Sequence, residues 1–157
     1  MSGSAVSGSA VSGSAVARRF CLVFAGLFFA LPAGLHAETP AERGAYLVNS
    51  IMACGNCHTP MGPNGPVPGM NLAGGTVFDE KPFTARASNI TQDRDSGIGA
   101  WTDAQIAKAV REGIRPDGSL IGPPMPFELY RGISDTDLAA VVAYLRTVKP
   151  VANTVAK

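Results

Sequence analysis

Cys54-Gly55-Asn56-Cys57-His58 is the stretch on which the reading of this 157-residue chain turns. Two cysteines three positions apart on one helical turn face the same way, so both sulfurs can reach one flat ligand. His58 follows directly and can offer an imidazole nitrogen from the same side. Two familiar uses of a Cys-x-x-Cys pair fit poorly. A structural zinc site needs four ligands, and this cluster supplies three. A thioredoxin-like redox pair sits in βαβ patterning, which is absent around it.

The remaining use is covalent attachment of a c-type haem, for which Cys-x-x-Cys-His is the signature. Cys54 and Cys57 are then the two thioether positions on one haem c, and His58 is an axial ligand of its iron.

The residues before this stretch are of another kind. Residues 2–16 are three copies of Ser-Gly-Ser-Ala-Val, a low-complexity repeat too small and polar to bury a core; translation is expected to begin near Val16. Arg18-Arg19, an apolar run over residues 20–31, Pro32 and Leu35-His36-Ala37 follow. A basic start, a short apolar core and a small residue at a break predict a secretory signal peptide cleaved after Ala37. The run is shorter than the roughly 20 residues that cross a bilayer, so no stable membrane span is expected after cleavage. The chain thus divides into residues 1–37, repeat plus signal, and residues 38–157, a haem domain. Cleavage removes Cys21 and His36 and leaves 11 Lys+Arg against 12 Asp+Glu, with no basic excess for nucleic acid. The expected compartment is the periplasm, which is oxidising.

Thr39-Pro40-Ala41-Glu42 predicts a capped helix start running to about Ser50. Gly44 interrupts it at about 1 kcal/mol relative to alanine, which predicts that another helix crosses closely there. Pro60, Gly62, Pro63, Gly65, Pro66, Pro68 and Gly69 predict a stiff loop that is neither helix nor strand. Residues 71–98 are expected to stay irregular, with Gly74-Gly75 in a turn. So long a structureless region suits a compact domain only if a large ligand supplies the missing core. Thr102-Asp103-Ala104-Gln105 is a second capping box, opening a helix that Gly113 ends. Ser134-Asp135-Thr136-Asp137 opens a third, with Leu138, Val141, Val142, Leu145 and Val148 at helical spacing and Pro150 as its stop.

With His36 removed, the iron's second axial ligand is sought among the methionines. Met52 and Met61 lie too near His58 to cross a porphyrin, while Met70 is open. Met125, in Pro123-Pro124-Met125-Pro126-Phe127, is favoured: Pro126 holds Met125 extended, so a stiff backbone presents one flexible thioether. A core methionine in a proline-rich loop is the competing reading.

Taken together, these residues resemble the class I cytochromes c over residues 38–151. The resemblance implies an all-α class I cytochrome c fold: three to four short helices around a covalently bound haem, with long irregular loops. It also implies a close crossing of first and last helices at Gly44, Tyr46 and Tyr144. A narrower resemblance lies in Asn89-Ile90-Thr91-Gln92-Asp93, in Gly97-Ile98-Gly99-Ala100-Trp101-Thr102, and in Met125-Pro126-Phe127 ahead of Ser134-Asp135. It is to the haem domains in cytochrome subunits of periplasmic and membrane-bound dehydrogenases. It implies single-electron transfer from a dehydrogenase toward the respiratory chain, with an oxidase or other acceptor downstream. It also implies that Trp101 and Asn89 lie near the haem propionates; Trp101 as a plain core aromatic is the alternative. Gln92 stands where this group usually has proline.

Ligation by both His58 and Met125 leaves no iron position for substrate, so an electron carrier rather than an enzyme is expected. The alternative is a haem enzyme or gas sensor with a labile sixth ligand. Lys81, Lys108, Lys149 and Lys157 form no obvious docking ring, and docking through an apolar rim is expected. Arg86, Arg94, Arg111, Arg115 and Arg131 are candidates for a basic patch.

Overall fold

A computed structural model describes residues 37–156. The repeat, the signal segment, Cys21 and His36 fall outside the described residues.

The Thr39 hydroxyl accepts the Glu42 N–H at 3.2 Å, and the Glu42 carboxylate accepts the Thr39 N–H at 2.8 Å. This reciprocal cap starts α1 (Pro40–Tyr46). The coil then widens into a π segment, Leu47–Ile51, whose end is marked by the Met52 N–H donating to Leu47 O at 2.8 Å. Ala53 follows at a φ of 49°. For a residue with a Cβ this left-handed conformation is strained, and such positions cluster at functional sites. It delivers the chain into α2 (Gly55–His58), a single turn.

Between α2 and the next long helix lie two antiparallel hairpins, which correct the expectation of purely irregular loops. In the first, β1 (Met61–Gly62) pairs with β2 (Gly65–Pro66). In the second, β3 (Val77–Glu80) pairs with β4 (Phe83–Arg86), Val77 facing Arg86 and Glu80 facing Phe83. Breaker residues hid both. Pro66 sits in a two-residue edge strand, where its missing N–H costs little. Lys81-Pro82 forms the whole turn of the second hairpin, between strands whose Val, Phe and Thr favour a pleated backbone.

α3 (Asp103–Glu112) carries the predicted Thr102–Gln105 capping box and ends at Gly113 in the left-handed conformation, φ 69°. A short α4 (Phe127–Tyr130) follows the methionine loop. Ser134 caps α5 (Asp135–Leu145), its hydroxyl accepting the Asp137 N–H at 3.0 Å. The three long helices match the sequence reading. The two single-turn helices and the hairpins make the architecture helix-dominated rather than strictly all-α.

Helices α1 and α5 cross at Gly44, which is buried. A methyl built on Gly44 would collide with the Ala140 carbonyl and lie 2.7 Å from Tyr144 Cβ. The Arg43–Asp137 ion pair at 2.9 Å and an Asn49–Tyr144 hydrogen bond at 3.0 Å flank the crossing. Val48, Leu72, Ile106 and Val141 form the centre of the core beneath it. Past Pro150 the chain straps back: Val151 N–H donates to Thr91 Oγ1 at 3.1 Å, and the Asn153 amide to Ala73 O at 2.9 Å. Among the described residues no helix is long and apolar enough to cross a membrane.

Candidate haem attachment site

Cys54 caps α2 and Cys57 lies within it, and the His58 N–H donating to Cys54 O at 2.9 Å closes the turn. Both thiols are free and half-buried. Burial pushes the Cys54 thiol up to about 11, so it rests as a thiol and not as the thiolate that a nucleophile requires. Among the described residues no three His, Cys, Asp or Glu side chains converge as a metal-ion site. Cys54, Cys57 and His58 are therefore not arranged to chelate a bare ion.

His58 Nδ1 lies 2.7 Å from the Ser88 carbonyl oxygen. A carbonyl only accepts, so Nδ1 carries the proton and Nε2 keeps its lone pair. Burial lowers the imidazole pKa, opposed by the bond to Ser88, which leaves the ring neutral at neutral pH. A neutral ring oriented through its other nitrogen is what a metal-bound histidine needs.

The overlooked β3–β4 hairpin positions that acceptor. Ser88 lies two residues beyond β4, after Ala87, whose N–H donates to Thr76 O at 2.9 Å and whose carbonyl accepts the Gly75 N–H at 2.8 Å. Gly74 N–H donates to His58 O at 2.7 Å. Its φ is 74°, and a Cβ there would come 2.6 Å from Ala87 O, so only glycine fits. Thr59 Oγ1 accepts the Leu72 N–H at 3.0 Å and pins the intervening loop.

Met125 is half-buried in the loop between α3 and α4. Ile121 N–H donates to Gly113 O at 2.7 Å, and the Phe127 ring covers Gly113 so closely that a Cβ there would lie 2.6 Å from it. Tyr130 Oη donates to Met52 O at 3.2 Å. That bond places its hydroxyl beside the attachment turn, and burial, with smaller contributions from Cys54 and Cys57, raises the Tyr130 pKa. Among the other methionines, Met61 is exposed, Met52 packs against the core, and Met70 is half-buried.

The cytochrome c family profile matches residues 41–149. The chain belongs to the cytochrome c family. It is 36% identical over 143 residues to the cytochrome c subunit of a quinone alcohol dehydrogenase from Gluconacetobacter polyoxogenes, covering 86% of this chain and 29% of that one. It is 40% identical over 122 residues to the fructose dehydrogenase cytochrome subunit of Gluconobacter japonicus, covering 76% and 24%. It is 35% identical over 134 residues to the gluconate 2-dehydrogenase cytochrome c subunit of Pantoea cypripedii, covering 84% and 29%. The chain spans about a quarter to a third of the length of these relatives.

The cofactor of this cytochrome is covalently attached haem c. The donor set fits it: two thiols one turn apart and a neutral imidazole whose Nε2 remains an acceptor.

The other predicted residues are placed as follows. Asn89 is buried, its Oδ1 accepting from Thr91 N–H at 2.9 Å and Thr91 Oγ1 at 2.7 Å, its amide donating to Val151 O at 2.8 Å and Ser96 Oγ at 3.1 Å. It stitches the strap after α5 onto the 89–96 loop. Trp101 is half-buried against the core, with its carbonyl accepting from Arg146 at 2.6 Å. Gln92 bridges Leu145 O and the Arg146 guanidinium, each at 3.0 Å, a connection that proline could not make. Two of the five candidate patch arginines are engaged internally: Arg111 pairs with Asp135 at 2.7 Å, and Arg115 donates to Leu120 O at 2.6 Å. Arg86, Arg94 and Arg131 are exposed.

Motif reading names neither Ser88 nor Tyr130. The first acts through a backbone carbonyl, which has no sequence signature. Tyr130 left a faint one, since Phe127 and Tyr130 share a face at i, i+3 spacing.

Proposed function

We propose that this cytochrome is a periplasmic monohaem carrier of single electrons, with His58 and Met125 as axial ligands, and not itself an enzyme. The observation that supports this reading is the His58–Ser88 hydrogen bond of 2.7 Å, which leaves the Nε2 lone pair free for iron. Met125 follows as the opposite ligand because His58 is the only histidine among the described residues and because Tyr130 ties the methionine loop to the attachment turn. His58 and Met125 would together hold the iron on both sides, so that electron exchange would need no change of ligand.

The protein's part is to hold ligands and set the dielectric. Ser88 fixes the imidazole tautomer, and the thioether of Met125 favours the ferrous state, raising the potential. Trp101 and Asn89 are read as flanking the propionates, Asn89 by holding the 89–96 loop in place. The signal-like residues 18–37 support export to the periplasm, and the relatives' cytochrome subunits support a dehydrogenase as electron donor, with an oxidase or other carrier as acceptor.

The reading is tested with carbon monoxide. The reduced, haem-loaded protein should bind none at neutral pH, whereas rapid binding would establish the enzyme or sensor alternative instead.

Residues 44–78 contain no Asp, Glu, Lys or Arg, and Ile51, Met61 and Val67 from this span are exposed. A partner meeting this surface finds apolar area and no charge to steer by. Electron transfer with the donor dehydrogenase should therefore change by less than about threefold between roughly 0.02 and 0.5 M salt. Stopped-flow rates over that range check this; a steep fall would place docking on the arginines.

A further inference from the structure

We infer that Tyr130 is a positioning residue that holds the Met125 loop closed against the attachment turn. The inference rests on the His58/Met125 reading above and assigns the part that keeps the sulfur at the iron.

The loop is anchored on two sides, and the two anchors differ in kind. On its own side it is fixed to the end of α3, by Ile121 N–H on Gly113 O and by the Phe127 ring on Gly113. These contacts hold the root of the loop and do not reach the cysteines. On the other side stands Tyr130. Among the described residues, its 3.2 Å bond to Met52 O is the one hydrogen bond from residues 122–132 to the first hundred residues. Met52 lies two residues before Cys54, so the bond joins the methionine loop to the element that carries the haem.

The acceptor is available because of the π segment. The Met52 N–H closes the last wide turn onto Leu47 O, and its own carbonyl lies beyond the last helical bond, an orphan of the kind found at every helix end. Tyr130 supplies its partner. Tyr130 and Met52 are both half-buried and their bond is part-buried, so losing it leaves a carbonyl only partly open to water. Removing a neutral hydrogen bond of this type raises the population of the opened loop by about five- to tenfold.

The test uses the haem-loaded ferric protein and imidazole, a ligand that binds only where the sulfur has left, so that its apparent affinity reports the open fraction. Tyr130→Phe removes only the hydroxyl and should raise imidazole affinity by about five- to tenfold, and Tyr130→Leu should raise it further. Arg43→Ala, which removes the Arg43–Asp137 pair between α1 and α5 and touches no residue of the loop, should lower the guanidinium midpoint of helix loss and leave imidazole affinity unchanged. Unchanged affinity in Tyr130→Phe overturns the inference. So does an equal rise in Arg43→Ala, which would make Tyr130 merely one contributor to global stability. Met125→Ala run in parallel separates the two levels. If it does not raise imidazole affinity, the axial-ligand reading has failed; if it does and Tyr130→Phe does not, only the tether has failed.

Discussion

Gly44→Ala is expected to destabilise the domain by about 1–2 kcal/mol, although alanine is the better helix former. The added methyl would meet the Ala140 carbonyl and the Cβ of Tyr144 at 2.7 Å. The first of these is backbone, and the second is the root of its side chain, so neither can rotate away. Relief requires α1 and α5 to move apart, which strains the Arg43–Asp137 pair and opens the core over Val48 and Val141. Overpacking of this kind costs about 1–3 kcal/mol, and occasionally more; the gain in helix propensity returns about 1 kcal/mol. Gly44→Val, with two further carbons and a smaller propensity gain, should cost more than Gly44→Ala. Guanidinium midpoints measure both, with Gly132→Ala as the control. Gly132 faces open space, and its change should stay within about 0.5 kcal/mol. A Gly44→Ala midpoint equal to that of Gly132→Ala would show that the helices cross less closely.

Met125→Ala should convert a closed iron site into an open one while leaving the fold in place. Met125 lies in a loop, half-buried, and the root of that loop is held independently by Phe127 on Gly113. The sulfur-to-iron charge-transfer band of the ferric protein should disappear, and the ferrous protein should bind carbon monoxide readily. The reduction potential should fall by more than about 60 mV, which is a factor of ten for a one-electron couple. The direction follows from the preference of thioether sulfur for ferrous iron. Met70→Ala should leave the band, the carbon monoxide behaviour and the potential as they were. The opposite pattern would move the sixth ligand to Met70.

The parts of the structure that sequence could carry are those whose cause is local. The Thr39–Glu42 and Thr102–Gln105 boxes, the Ser134 cap and the left-handed stop at Gly113 are each complete within a few residues, and each appears where the sequence placed it. Gly44 carried a long-range message, because a glycine inside a helix needs a reason and close crossing is the usual one. The second hairpin was missed because Asp, Glu, Lys and Pro at its turn look like loop, although Val77 and Phe83 beside them favour strand. The candidate site divides the same way. Cys54, Cys57 and His58 announce themselves by spacing. Ser88 does not, because its contribution is a carbonyl that every residue possesses, made specific only by the hairpin that delivers it. Tyr130 reaches a partner 78 positions away, and no periodicity connects the two. The arginines show the opposite error. Composition groups them by sign, whereas Arg111 and Arg115 are already committed inside the fold.

The strap that follows α5 lets residues far along the chain bear on the haem site. Asn153, 80 positions after Ala73, ties down the loop whose Gly74 N–H donates to the His58 carbonyl. The Asn153 N–H also donates to Ser96 Oγ, which accepts from the Asn89 amide as well. The histidine near the start of the domain is thus steadied by a residue that no local reading of its motif would include.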